Sequence, residues 1–308
     1  LNIRSKRVNF IAIQASHAIA CKGYHQFTVR TGYDGVVADR TFDLFAYTAK
    51  QSGKVISLDD KGIIIEYDNK QTTGYELGRR FGAAAGLTIP HQILTPLKLN
   101  DKVNVGDCIV YNDGFFEPDF FNPKNVVLKN ATNVKTVLWE SHQTLEDASS
   151  ISSKVADKLS TKVTKVKNII VGFDQSVSKL VKVGDIVSAD SILCFIEDGV
   201  TANNNLFNDT SIDTLRTISA QAPKALVKGV VEKIDIFYHG DKEDMSESLK
   251  SLANNGDKEL KSKAKSLGTK EMTGSVDSGL RIDNDPVALD NLVIRIYITS
   301  NVGAGIGD

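Results

Sequence analysis

The chain has 308 residues, of which 41% are hydrophobic and 24% charged, with a formal net charge of −1 at pH 7. That is enough apolar material for two or three domain cores, but no run approaches the 18 or so apolar residues of a membrane-spanning helix, and near-zero charge gives no global field for nucleic acid. Cys21, Cys108 and Cys194 stand far apart, without CxxC or His-Cys clustering, which argues against a zinc site or a disulfide framework and fits a reducing cytoplasm.

The N-terminal Leu1-Asn-Ile-Arg-Ser-Lys-Arg7 is basic but leads into no apolar h-region, so no signal peptide is expected. The lack of an initiator Met reads as a trimmed chain or a fragment. Short strands separated by Gly, Asp and Asn turns come next. Gly35-Val-Val-Ala38 and Asp43 to Thr48 are strand-like, and 53–57 and 62–67 form a hairpin joined by Leu58-Asp-Asp-Lys61. Gly78-Arg79-Arg80-Phe-Gly82-Ala-Ala-Ala-Gly86 lacks the Gly-Lys-Ser/Thr ending of a phosphate loop and reads as a close-packed turn. Asp101-Lys-Val-Asn-Val-Gly106-Asp107 and Val181-Lys-Val-Gly184-Asp185 share one pattern: β-residues, a Gly-Asp turn, then β-residues again. Glycine accepts a positive φ there and aspartate can bond back to the turn amides.

Val126 to Leu128 and Val134 to Trp139 read as further strands, and Ser149 to Leu159 as a helix. Between them stand the adjacent carboxylates Glu146 and Asp147; taken alone, Asp147 caps the helix and Glu146 is solvated. Lys154, Lys158, Lys162, Lys165 and Lys167 crowd fourteen residues with one acid, Asp157. Lysines hold phosphates without reading sequence, and the same spacing also suits a solvated face. The five histidines show no paired metal spacing. In 226–237, Val227, Val231 and Phe237 alternate with Leu226, Val230, Ile234 and Ile236. Met245, Leu249 and Leu252, then Leu260 and Leu267, recur at helical spacing around Asn254-Asn-Gly256-Asp257, which predicts a helical hairpin over 244–267. In the last strand Leu292, Ile294, Ile296 and Ile298 share one face.

Taken in order, Asp34-Gly35-Val-Val, the passage His91 to Val110, Glu146-Asp147-Ala148, Val181-Lys-Val-Gly184-Asp185 and a final Gly307-Asp308 resemble the β (second-largest) subunit of multisubunit DNA-directed RNA polymerases. The tryptophan, asparagine and aromatic positions that precede Glu-Asp-Ala in that family are not kept here. The divergence resembles the split polymerases of large bacteriophages. The resemblance implies a β-rich α+β fold, with double-psi β-barrel elements and an inserted flap or wall domain of barrel-sandwich-hybrid type. Residues 1–90 would flank the active centre, 91–148 with 287–308 would supply barrel elements, and 149–286 the flap with its helical hairpin.

The implied reaction is template-directed nucleotidyl transfer, with the chain inactive alone. Glu146 and Asp147 would lie near a second, nucleotide-borne Mg²⁺, the first ion being held by a partner subunit. Gly307 and Asp308 would flank active-site lysines that lie beyond the chain's end. Lys22 would sit near the incoming nucleotide, and Lys154, Lys158 and Lys162 would contact nucleic acid. Met245, Leu249, Leu252, Leu260 and Leu267 would present the hairpin to a specificity factor. The implied partners are other polymerase subunits or fragments, DNA, RNA and nucleoside triphosphates, with no membrane, in a bacterial host's cytoplasm or a virion. The rival from another class is a β-rich viral structural or assembly protein. A biotinyl or lipoyl carrier fits less well, because no Met-Lys-Met or Asp-Lys-Ala tripeptide occurs.

Overall fold

In the computed structural model the described residues are 20–41, 44–84, 87–129, 131–138, 142, 149–198, 222–277, 279, 281–282 and 285–306. They divide into two units, one of Leu1–Val163, Ser266–Gly268 and Asn301–Asp308, the other of Thr164–Lys265 and Thr269–Ser300. The fold is β-rich α+β, made of antiparallel sheets.

The first unit carries α1 (Tyr33–Val36), then β1 (Ala46–Thr48), β2 (Gly53–Leu58), β3 (Gly62–Tyr67), β4 (Thr72–Glu76), β5 (Gly78–Ala84) and β6 (Leu87–Leu94). After these come β7 (Lys102–Val103), β8 (Cys108–Asn112), β9 (Phe116–Pro118), β10 (Val126–Leu128) and the helix α2 (Ser153–Lys158). Its sheets run in the orders β1-β8-β6-β5 and β4-β3-β2-β7, with β9 paired to β10. The predicted hairpin forms as β2 and β3, closed by Asp59, whose Oδ1 accepts the Lys61 and Gly62 amides at 2.9 Å. Val55, Ile63, Ile65, Ile93 and Ile109 are fully buried in this unit's main core.

The second unit carries β11 (Thr161–Gly172), which starts three residues before its boundary, then β12 (Gln175–Ser178), β13 (Ile186–Val187), β14 (Phe195–Asp198) and β15 (Gly229–His239). After the helix α3 (Glu247–Leu267) come β16 (Arg281–Ile282), β17 (Asp285–Pro286) and β18 (Asn291–Val302). The main sheet has the order β11-β18-β15-β13. Leu292, Ile294, Ile296 and Ile298 of β18 are at most 1% exposed, so the alternation read from sequence is the centre of the core.

Both Gly-Asp turns form, with one hydrogen-bond pattern. Gly106 has φ 90° and Gly184 φ 98°, and the aspartate amide bonds back three residues at 3.1 Å, to the Asn104 and Lys182 carbonyls. The aspartate Oδ2 accepts the amide of that same residue, at 2.9 Å in the first turn and 2.8 Å in the second. Each turn then sits on one buried residue by two reciprocal bonds, Ala49 just after β1 and Val231 in β15. Gly106 N donates to the Ala49 carbonyl and Ala49 N to that of Asp107; Gly184 N donates to Val231 and Val231 N to Asp185.

Several expectations are corrected. The hairpin over 244–267 is one continuous 21-residue helix, α3. Its Asn-Asn-Gly-Asp centre is not a turn but a packing site. A Cβ on Gly256 would lie 3.0 Å from Ile236 Cβ, so glycine lets the helix lie close on β15. Asp257 turns inward and accepts bonds from Gly274 N (2.7 Å), Tyr238 OH (3.0 Å) and Lys242 Nζ. Burial alone would raise its pKa, but the Gly274 amide, the Lys242 ammonium and the Tyr238 hydroxyl outweigh it and hold the carboxyl below its usual range. The helix stops at Gly268 (φ 62°), where Thr269 N bonds the Ala264 carbonyl in a Schellman-type end.

The 35–38 segment is helical, with α1 passing into a 3-10 turn at Val37–Arg40. Residues 134–138 form no strand, and Val137 and Leu138 are exposed. In β15 a register shift between Val231 and Lys233 breaks the alternation read over 226–237, so that Val231 and Ile236 both enter the core. Residues 91–138 lie with 20–84 in the first unit, and 291–300 lie in the second, in β18.

Candidate functional site

Seven chain segments of the first unit meet at an open cleft of about 560 Å³. The loop Ala20–Lys22 forms one wall, Arg79 of β5 and Ile89 to Gln92 of β6 another; Asn112 to Phe115 with Lys129, then Asp157 and Ser160 to Lys162, complete it, and Asn301 closes one corner. Side chains from β5, β6 and the turn after β8 converge because β5 and β6 form a hairpin (Arg79↔Gln92) whose second strand also pairs β8. The 78–86 segment, read from sequence as a turn, is therefore a strand as far as Ala84.

The wall bearing Lys22 is fixed by backbone. Lys22 N donates to the Ser160 carbonyl at 2.9 Å and Gly23 N to that of Lys158 at 2.8 Å. A Cβ on Gly23 would fall 2.4 Å from Lys158 Cβ, so only glycine lets the chain cross the end of α2 here. The helix begins at Ser152, whose hydroxyl oxygen accepts the Val155 amide. From this frame Lys22 Nζ reaches both Asp157 carboxylate oxygens, at 2.8 and 3.0 Å. Across the cleft, Lys129 Nζ donates to the Asp113 carbonyl.

Behind the wall, His91 is 2% exposed. Asn112 Nδ2 donates to its Nδ1 at 2.8 Å and to the Leu44 carbonyl at 3.0 Å, which leaves the imidazole proton on Nε2. Burial lowers the His91 pKa and the charges of Arg80 and Arg79 lower it further, against an opposing contact with the Gly82 backbone. This environment favours the neutral imidazole. Lys22, Arg79, Lys129 and Lys162 face two carboxylates, Asp113 and Asp157, so the cleft carries a surplus of two positive charges in a chain whose net charge is −1. An anion is the ligand that such a surface favours.

The structure brings together two of the sequence-predicted lysines, Lys22 and Lys162, and places Lys158 beside them through its carbonyl. Lys154 is exposed on α2, away from the cleft lining. Glu146, Asp147, Gly307 and Asp308 lie outside the described residues. Met245 and Leu249 are buried in the second unit's core and Leu252 packs against it, while Leu260 and Leu267 are half-buried. Met245 and Leu249 are thus taken up by the core, which leaves Leu252, Leu260 and Leu267 partly exposed on α3. Sequence reasoning missed Asp113 and Lys129, and it read Arg79, beside Arg80, as part of a close-packed turn; only strand pairing brings the three to one cleft.

The chain matches no family model and no curated protein. For the Mg²⁺ implied by sequence, the described residues contain no group of three His, Cys, Asp or Glu side chains placed to hold a metal ion. The two cleft carboxylates stand among four cations, an arrangement suited to anions rather than to a divalent ion.

Proposed function

We propose that the chain is part of the β subunit of a multisubunit DNA-directed RNA polymerase of the split, phage type, inactive alone and completed by partner chains. The observation that carries this reading is the collinear order of its motifs: Glu146-Asp147-Ala148, then Val181-Lys-Val-Gly184-Asp185, then Gly307-Asp308. The shared geometry of the Gly106-Asp107 and Gly184-Asp185 turns supports it, because such turns build small barrels and barrel-sandwich hybrids. On this reading the first unit contributes barrel elements near the active centre and the second the flap or wall. Mg²⁺ is held mainly by a partner subunit, with Glu146 and Asp147 organising charge near the nucleotide-borne ion.

Native mass spectrometry of the chain purified from its source tests this. A complex with a second polypeptide bearing an aspartate-rich Mg²⁺ loop, which loses RNA synthesis on Glu146→Ala or Asp147→Ala, is the expected result. A monomer or a symmetric homo-oligomer would overturn it and favour the structural or assembly protein.

A further inference from the structure

Lys22 and Asp157 form an ion pair in which both side chains are about two-thirds exposed (65% and 64%). An exposed pair of this kind does little to hold a fold together. Here it is not needed for that, because Lys22 is already delivered to the cleft by its backbone bond to Ser160 and by the Gly23–Lys158 crossing. Among the described residues the Lys22 ammonium is the only hydrogen-bond donor to the Asp157 carboxylate. The carboxylate thus sets two oxygens on the ammonium of a lysine whose backbone is anchored, at the edge of a cleft that Arg79, Lys129 and Lys162 also line. Ile89, Pro90 and Phe115 give the cleft an apolar side.

We propose that Asp157 occupies the place of a ligand: a phosphate group entering the cleft displaces the Asp157 carboxylate from Lys22 and takes its two-oxygen contact. The exchange is a swap of charge partners, with no bond made or broken. Its signature is an opposite response at the two ends of one ion pair. Removing the lysine removes a contact to the ligand, whereas removing the aspartate charge frees the lysine and lifts a repulsion. A site in which both residues merely stabilise the fold would respond in the same direction at both ends. The proposal deepens the nucleotide-facing role that the polymerase reading gives Lys22, but its test reads phosphate binding by this chain alone, so it can fail while that reading stands.

The test is isothermal titration calorimetry of the full chain at about 50 mM salt, where screening is modest. The probes are inorganic tripolyphosphate and an eight-nucleotide oligouridylate without terminal phosphate. At least one is expected to bind more tightly than about 1 mM. Lys22→Gln should weaken that binding roughly threefold or more, and Asp157→Asn should tighten it by about two- to fivefold, the range set by an exposed ion pair. Binding of tripolyphosphate alone assigns the site to a terminal phosphate chain, of the oligonucleotide alone to a strand's diesters, and of both to phosphate generally; each supports the proposal. No binding by either probe, no loss in Lys22→Gln, or an unchanged or weaker affinity in Asp157→Asn would overturn it. Circular dichroism of both variants checks that the fold is intact.

Discussion

The Gly106-Asp107 and Gly184-Asp185 turns have the same hydrogen bonds, yet they launch strands of different character. After the first, Cys108 to Asn112 is buried at every position, because β8 lies between β1 and β6. After the second, β13 is two residues long at the edge of its sheet, with Ile186 81% exposed and Val187 3% exposed. Turn chemistry is local, set by a glycine φ and an aspartate oxygen; the burial of the strand beyond the turn depends on how many neighbouring strands flank it. The second unit covers its core from elsewhere, with Leu249 and Ala253 of α3 packed into it.

The largest test of that contrast is to place a charge at the matched position after each turn. Cys108→Asp should cost about 4 kcal/mol or more and unfold the first unit, since a carboxylate there is buried and meets the charges of Asp39 and Asp107. Ile186→Asp should stay within about 0.5 kcal/mol of the parent. Urea denaturation monitored by circular dichroism reads both.

Next is the helix that covers the second core. Asp257→Ala leaves the Gly274 amide and the Tyr238 hydroxyl without their acceptor and should cost about 2–4 kcal/mol. The Asp257 pKa is depressed in the folded state, so its contribution is complete above the ordinary carboxylate value of about 3.9 and is lost as pH falls through the lower folded value. Urea midpoints at pH 7 and pH 3 should therefore differ less in Asp257→Asn than in the parent.

The turns themselves should respond alike. Gly106→Ala and Gly184→Ala each force a Cβ into positive φ with nothing within 4 Å to clash, so each should cost about 1–2 kcal/mol of backbone strain. A difference between them above about 0.5 kcal/mol would show that the shared hydrogen bonds do not carry equal weight. Smallest, Asp185→Ala removes one exposed side-chain bond and Asp107→Ala the matching one plus a long 3.5 Å contact from Asn104 Nδ2, each worth about 0.5–1 kcal/mol in total by the same denaturation assay.

Where local chemistry suffices, the sequence is legible. The 53–67 hairpin, both Gly-Asp turns and the inward face of Leu292, Ile294, Ile296 and Ile298 all arise from short-range pattern. Where tertiary contacts override it, the pattern misleads. Asn254-Asn-Gly256-Asp257 has the composition of a helix stop, but Gly256 is there to approach Ile236 and Asp257 to meet Gly274. In β15 one register shift reverses which residues face the core, and no residue type announces it. The cleft is half legible: a lysine-rich stretch draws attention to Lys162, while Arg79 and Asp113 become neighbours through the pairing of β5, β6 and β8, and Lys129 joins them through β9 and β10.

The crossing at Gly23 also bears on how the chain is made. The Lys22–Asp157 contact joins positions 135 residues apart, and the backbone bonds beside it close a loop of similar length. Contacts so distant in sequence form late and slow folding. During synthesis the segment around residues 20–23 therefore stays unanchored at this crossing until the ribosome has delivered α2 and Ser160, long after β1 to β6 have left the exit tunnel.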